Sequence, residues 1–490
     1  MFVGIDVGTS SVKAVMVGDD QQIVAQSSES LAVSHPAPQW SEQDPKAWWL
    51  ACDRAMAGLR ARAGRHWSDV VGMGLSGQMH GAVLLGDDDR PLRPAILWND
   101  GRAAAACLEL ERRVPALPHI TGNRAMPGFT APKLIWIAEH EPSVFAACRR
   151  VLLPKDYVRL QMTGDAASDM SDSAGTLWLD VGARRWSDEI LAATGLTQAH
   201  MPALFEGTQS TGFVRAELAD RWGIGHRVTV AAGAGDNAAG AVGMGIITDG
   251  SAMVSLGTSG VTFVASDRYA PNPAGGVHTF CHALPGRWHQ MAVHLSAAHC
   301  LAWLATILGT SEQVLLDHVD DVPVAARGVF FLPYLSGERT PHNDPGAVAM
   351  FHGLTSSTDR RELVQAVLEG VAFAFRDGLD AIRRVGTRID RASLVGGGAR
   401  SRYWAQVLAD VLELPLDLRE GSEVGPAVGA ARLARIAVTG EDADAVCVQP
   451  VLRETLLPRA ARSVMYGSAH SQFRDLYRRL PSRSGDADRI

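Results

Sequence analysis

Two apolar, largely β-branched runs open the chain, FVGIDV and VKAVMV, with the turn Gly8-Thr9-Ser10 between them. Glycine and serine between such runs predict a hairpin. The pattern returns in AMVSL and VTFVA around Gly257-Thr258-Ser259. Residues 6–15, DVGTSSVKAV, and 255–264, SLGTSGVTFV, share Gly, Thr, Ser, Val and Val in register. Short turns can match by chance. Here each copy opens one half of the chain and is followed by similar strand, helix and glycine-turn segments, which predicts two related halves. In the first half a third strand, QIVAQSSESLAV, precedes a helix from about Asp44-Pro45 through WWLACDRAMAGL, proline suiting its first turn. DVVGMGLSG, a further hairpin HGAVLLGDDDRPLRPAILW, and helical stretches at 103–113 and 131–140 follow. In the second half Leu363, Val367, Val371, Phe375, Leu379 and Ile382 recur at helical spacing and predict an amphipathic helix from Arg360 to Arg384. After it come the strand ASLVGGG, a helix capped by Ser401 and a final helix from about Pro426 to Val438. Strands alternating with helices predict α/β layers, and the hairpins make both sheets mixed. The boundary is expected at the turn IITDGS (246–251), giving halves of 1–246 and 247–440. Residues 441–490 are poor in periodicity and rich in Arg, Ser and Asp, which predicts a peripheral tail packed on the lobes.

Composition narrows the class without naming a chemistry. With 490 residues, 47% of them hydrophobic and 20% charged, the chain is neither disordered nor collagen-like. Its formal charge of −7 disfavours a nucleic-acid or anionic-membrane partner. Six cysteines in no CxxC pair read as reduced and mostly buried. No apolar run approaches the ~20 residues of a membrane span, and the N-terminus lacks a basic leader and cleavage site. The expectation is a soluble cytoplasmic enzyme.

A nucleotide phosphate site needs backbone N–H groups, hydroxyls and a carboxylate for magnesium. A glycine-lysine P-loop is excluded, since no Gly-Lys dipeptide occurs. GMGLSG at 72–77 has dinucleotide spacing, but a strand follows it where a helix is required. The two G-T-S turns are better candidates. Gly8, Thr9 and Ser10 follow Asp6 at a strand end, and Gly257 and Thr258 repeat the turn with Ser255 in place of the acid; both could equally be ordinary hairpin turns. Asp236 lies after VTVAAGAG, at the carboxyl end of a strand, where α/β proteins place ligands. It reads as a base taking a hydroxyl proton or as a helix N-cap, a task Asn237 could also perform. GGGARSRYW at 396–404 permits close approach of a planar group or tight helix packing. The charged loop SGERTPHNDP at 336–345 suits an interdomain or ligand-facing position. His278, His282, His289, His294 and His299 invite a metal, but no HExxH or CxxC pattern accompanies them, so they read as packed or exposed side chains.

GIDVGTSSVK, GQMHG, LWNDGR, FTAPKLIW, GDNAAG, SLGTSG, SGERTPH and GGGARSRYW, in this order over nearly the whole chain, resemble the FGGY carbohydrate kinases. The resemblance implies two ribonuclease-H-like lobes of the actin/hexokinase superfamily, closing on a ligand cleft. It implies Asp236 as catalytic base with Asn237 on the sugar, and Asp6 as the acid that orients magnesium and the transferred phosphate. It implies Gly257 and Thr258 as the second phosphate turn, Gly398 and Arg402 at adenosine, and Met79, His80 and Trp98 in the sugar pocket. GQMHG together with PGFTAPKLIW is typical of the family members that act on xylulose, so ATP, Mg2+ and D-xylulose are the implied ligands. Ribulose, gluconate or another polyol remains an alternative acceptor, and a chaperone-like ATPase is the alternative of a different class. A homodimer is compatible with the sequence.

Overall fold

The structure, a computed structural model, describes residues 1–317, 319, 325–420 and 425–480; the last ten residues of the expected tail lie outside these. The first G-T-S hairpin joins β1 (Phe2–Val7) to β2 (Ser11–Val17), and β3 (Ile23–Ser30) extends the antiparallel ladder. Helix α1 (Pro45–Ala63) starts where proline predicted, the Asp44 carboxylate accepting the Lys46 N–H. It returns the chain to β4 (Gly72–Gly77), which runs parallel to β1. Helices α2 (Ala104–Arg113) and α3 (Thr130–His140) belong to an insertion that walls the site below. β5 (Ser210–Phe213), β6 (Thr229–Ala231) and the short β7 (Ala234–Gly235) complete the sheet, in the order β5-β6-β4-β1-β2-β3 with β7 beside the end of β4. Helix α4 (Asp236–Gly243) follows at once.

The second G-T-S hairpin joins β8 (Ala252–Leu256) to β9 (Gly260–Ser266). Around it lie β10 (His278–Cys281), β11 (Trp288–His294), helix α5 (Ala298–Ile307), helix α6 (Arg360–Arg383), β12 (Ala392–Val395), helix α7 (Arg402–Leu412) and β13 (Leu416–Arg419). Helix α8 (Pro426–Thr439), β14 (Leu452–Leu456) and helix α9 (Ala460–Arg478) end the described chain. The strand order is β10-β11-β9-β8-β12-β13-β14. Three antiparallel strands followed by two parallel ones thus occur twice, as β3-β2-β1-β4-β6 and as β11-β9-β8-β12-β13. The repeat seen in ten residues is a repeat of topology. Helix α6 opens on a capping box between Asp359 and Glu362 and buries the expected stripe, with Leu363 only partly covered.

Three expectations change. Residues 81–98 do not form a regular hairpin: Val83–Leu85 pairs with Arg150–Leu152 and Ala95–Ile96 with Glu42–Gln43, leaving two single bridges between the arms. Pro91 and Pro94 remove ladder donors, so each arm finds another partner. The helix after Pro426 is not the last, and the region after 440 is not merely peripheral. β14 closes the edge of the second sheet, and α9 inserts Tyr466 and Phe473 into its core. Helix α8, although it falls between β13 and β14 of the second sheet in sequence, lies on the first. A β-carbon on Gly4 or Gly74 would stand 1.7 or 2.0 Å from the Ala427 or Ala430 carbonyl oxygen. Gly74 of GMGLSG therefore lets a helix backbone touch the sheet, which accounts for a glycine there by packing. On its other side Gly429 admits α4 equally closely, at Ala239.

Candidate active site

Strand ends and helix starts converge where the halves meet. Register places Asp6, one residue before the end of β1, between Lys13 and Ser76. The Ser76 hydroxyl donates to its Oδ1 at 2.5 Å. Burial lifts the Asp6 carboxyl above its ordinary value against that bond and the Lys13 charge. The end of β4 also fixes β7, whose Gly235 N–H donates to Ser171 Oγ at 3.1 Å. Gly235 occupies the N-cap of α4, so neither Asp236 nor Asn237 is spent on capping. The Asp236 Oδ1 accepts from the backbone N–H and the side-chain amide of Asn237, at 2.7 and 2.9 Å. Burial, and then the neighbouring charge of Asp6, push its carboxyl up to about 7. Two carboxylates near enough to repel are thereby held together, and one of them, Asp236, lines a cavity and is poised to exchange a proton near neutrality.

That cavity, about 260 Å3, gathers all five residues expected to meet sugar: Met79, His80, Trp98, Asp236 and Asn237. His80 has a left-handed backbone, φ 69°, and Lys133 Nζ and Thr130 Oγ1 hold its carbonyl at 2.8 and 3.1 Å. Its Nδ1 lies 2.6 Å from the Gly175 carbonyl oxygen, so Nδ1 carries the proton and Nε2 is left as an acceptor. Burial brings this imidazole down to about 3 and keeps it neutral. A β-carbon on Gly175 would stand 2.6 Å from the His80 ring, so a side chain there would displace the imidazole. Trp98 Nε1 donates to Thr9 Oγ1 at 3.0 Å, and that hydroxyl donates to Gln78 Oε1 at 2.9 Å. The Thr9 side chain is therefore engaged with the protein, and of the two hydroxyls expected at phosphate only Ser10, which is exposed, lacks a hydrogen bond among the described residues.

The second half supplies walls that the sequence reading did not assign to the sugar. Ser259, His278, Phe280 and Arg339 line the same cavity, with Met126 and Phe129 from the first half. Phe129 stands in the motif FTAPKLIW and Arg339 in SGERTPH, so both were visible as motif members but not as cavity walls. His278, which the sequence suggests is packed or exposed, is buried in the cavity wall. Its Nδ1 faces Asn123 Oδ1 at 3.0 Å, and the Asn123 amide donates to the Thr121 and Thr279 carbonyls. His278 is therefore the donor there and offers Nε2 as an acceptor. His282 and His289 pack beside Phe263, His294 lies against Phe375, and His299 is exposed.

Gly257 and Thr258 border a second, wider cavity of about 800 Å3 together with Gly398 and Arg402. The first N–H of α5 and the one before it donate to the Gly257 and Thr258 carbonyls at 2.8 and 2.9 Å. Gly396 and Gly398 press against Leu256, so this glycine run serves tight packing as well as the cavity wall. Arg402, largely exposed, pairs with Glu454 on β14 at 2.5 Å. One turn thus borders both cavities, Ser259 in the smaller and Gly257-Thr258 in the larger. Among the described residues no group of three or more His, Cys, Asp or Glu side chains could hold a metal, and all six cysteines are free and buried.

Residues 1–243 match the N-terminal domain, and residues 252–438 the C-terminal domain, of the FGGY family of carbohydrate kinases. The chain is 52% identical to a xylulose kinase of Escherichia coli (strain K12), over 98% of this chain and 99% of the other. It is 34% identical to a xylulose kinase of Bacillus subtilis (strain 168), over 97% and 96%. The crystal structure of a xyloylose kinase from Brucella ovis superposes with a TM-score of 0.95 at 51% identity, covering 97% of this chain and 98% of that one. That of xylulose kinase from Rhodospirillum rubrum gives 0.90 at 31%, with 97% and 98% covered. The chain belongs to the FGGY family of carbohydrate kinases.

Proposed function

We propose that the protein transfers the γ-phosphoryl group of ATP to the terminal hydroxyl of D-xylulose, giving D-xylulose 5-phosphate and ADP. The observation that carries this reading is the position of Asp236, a near-neutral carboxyl in the wall of a sugar-sized cavity that shares the second G-T-S turn with a nucleotide-sized one. The likeness in sequence to relatives named xylulose kinase supports D-xylulose as the acceptor. Met79, His80, Trp98 and Asn237 bind and orient the sugar. Asp236 accepts the hydroxyl proton as that oxygen attacks the γ-phosphorus in line. The reaction asks mainly for positioning and charge neutralisation. ATP lies in the larger cavity, with Gly398 and Arg402 at the adenosine and Gly257, Thr258 and the first turn, Gly8 to Ser10, at the phosphates.

The donor set fits magnesium bound mostly through phosphate and water: one or two carboxylates suffice. Asp6 Oδ2 makes no hydrogen bond among the described residues, and Asp6 would hold the ion. An ion held there would supply charge neutralisation to the transferred phosphate. Residues 1–246 form the sugar-side lobe and 247–440 the nucleotide-side lobe in this reading, and free cysteines beside an ATP requirement suit the cytoplasm. ADP release measured against D-xylulose, D-ribulose, L-ribulose, glycerol and gluconate tests the assignment; kcat/KM is expected to be highest for D-xylulose, and a larger value for any other acceptor reassigns the substrate.

A further inference from the structure

The loop 336–345 carries a cation for which the mechanism above has no use. Arg339 lines the sugar cavity, and among the described residues its guanidinium makes no hydrogen bond or ion pair. The adjacent Glu338 turns elsewhere. Its Oε1 accepts from the backbone N–H groups of Leu295 and Arg339, and its Oε2 lies 3.6 Å from His294. The arginine is nevertheless firmly placed. Thr340 N–H donates to the Val293 carbonyl at 3.0 Å, Val293 N–H to Thr340 Oγ1 at 2.9 Å, and Thr340 Oγ1 to the Gly276 carbonyl at 2.8 Å. The loop is thus stitched to β11 and to the approach to β10, the strands that bring Met291 and His278 into the cavity.

A guanidinium offers five donors and no acceptor, whereas the two neutral imidazoles in this cavity offer Nε2 as acceptors. The charge of Arg339 acts on His80 and His278, while the charge acting on Asp236 is that of Asp6. Its loop is fixed to the strands that bring His278 and Met291 into the cavity, whereas Asp236 enters at the start of α4, so the arginine stands with the imidazoles on the recognition side. An open-chain 2-ketopentose has four hydroxyls, each able to donate to Asp236 or an imidazole. Its C2 oxygen is the one that can only accept. With the terminal hydroxyl at Asp236, C2 lies three carbon–carbon bonds further in.

We propose that Arg339 is the specificity-determining residue that donates to the C2 carbonyl oxygen, selecting open-chain 2-ketoses over the corresponding C2 alcohols. The inference rests on the ketose-kinase reading above. A C2 alcohol would bring a hydroxyl proton to a corner where the guanidinium has no acceptor, and a buried donor left unpaired is strongly selected against.

The test compares D-xylulose with its two C2 alcohols, xylitol and D-arabinitol, by coupled ADP release in wild type, Arg339→Met and Arg339→Lys. In R339M, kcat/KM for D-xylulose is expected to fall roughly 10- to 100-fold, the range for a hydrogen bond to a charged group, chiefly through KM. The ketose-to-alcohol ratio falls toward one, R339K lies between, and KM for ATP is unchanged. A purely structural role would lower all three acceptors alike, so an unchanged ratio overturns the proposal, as does a rise confined to KM for ATP. If R339M does not fold, the ratio in R339K decides in the same way. Wild type that turns over glycerol or gluconate but no ketose defeats the kinase assignment and the inference with it. Wild type active on D-xylulose with the ratio unmoved by either substitution defeats the inference alone.

Discussion

Asp236, the base of the proposed reaction, shows how the fold can disfavour the charge on a residue that the chemistry would use. Its carboxyl is lifted from 3.8 to about 7 by burial and by Asp6, so the ionised form that accepts a proton is the form the folded state resists. Asp236→Ala is expected to lower kcat by roughly 10²–10⁴, the range for loss of a general base, with ATP affinity retained; wild-type turnover would remove the residue from that role. In the wild type, kcat/KM should rise with pH through about 7 and level off above it, since the base acts ionised. Stability runs the opposite way. The unfolded carboxyl ionises near 3.8 and the folded one near 7, so the folded state loses stability as pH rises between those values, and the penalty is complete above the higher one. Asp236→Asn keeps an oxygen to accept both Asn237 bonds and removes the charge. It should raise unfolding free energy at pH 8 by ~1–3 kcal/mol, a gain that disappears in urea titrations near pH 4. Asp6, Asp236 and the G-T-S turns were legible as candidates because each sits at or beside a strand end. His278 was not, because its acceptor nitrogen is set by Asn123, 155 residues away.

At the scale of elements, glycine decides the packing of α8. Gly74 lies where a β-carbon would meet the Ala430 carbonyl at 2.0 Å, and a backbone atom cannot rotate aside. Gly74→Ala should cost about 3 kcal/mol, at the upper end for overpacking, and should also lower kcat, because α8 braces the helix that begins at Asp236. Gly225→Ala, with nothing within 4 Å of its β-carbon, should shift the urea midpoint little. The helices at 45–63, 360–383 and 402–412 were readable from caps and periodicity, which act within a few residues. The partners of Val83–Leu85 and Ala95–Ile96 were not, because pairing is chosen among strands distant in sequence. Helix α9 hid for another reason: its buried face is built of Ser463, Tyr466, Ala469, His470 and Phe473, and a stripe with three polar side chains gives a weak periodic signal. Tyr466 donates to Glu369 and His470 lies 3.0 Å from Asp377, so the polar atoms are satisfied only once the helix docks.

For the whole molecule, the chain crosses between its halves more than once. The second half covers the first sheet with α8, the last described segments return to complete the second sheet, and the sugar cavity draws walls from both. Ending the chain after Gly440 removes β14 and α9, exposing the edge of β13 and the core around Phe473. We expect such a protein to be insoluble or to melt without cooperativity, as read by soluble yield and circular dichroism. A folded, active truncation would show the tail to be dispensable. No helix of the described residues is long and apolar enough to cross a membrane.

Sequence alone determined the duplicated hairpins, the α/β layering and most helix limits, because turn chemistry, capping and apolar periodicity are local properties carried by neighbouring residues. It also placed Asp6, Asp236 and both turns at the ends of strands. Tertiary structure alone decided that α8 belongs to the first sheet and that β14 and α9 complete the second. It also decided that Thr9 is engaged by Trp98 and Gln78, and that His278 and Arg339 reach the sugar cavity. These depend on contacts between residues far apart in the chain, where packing and hydrogen-bond satisfaction, not local preference, select the arrangement.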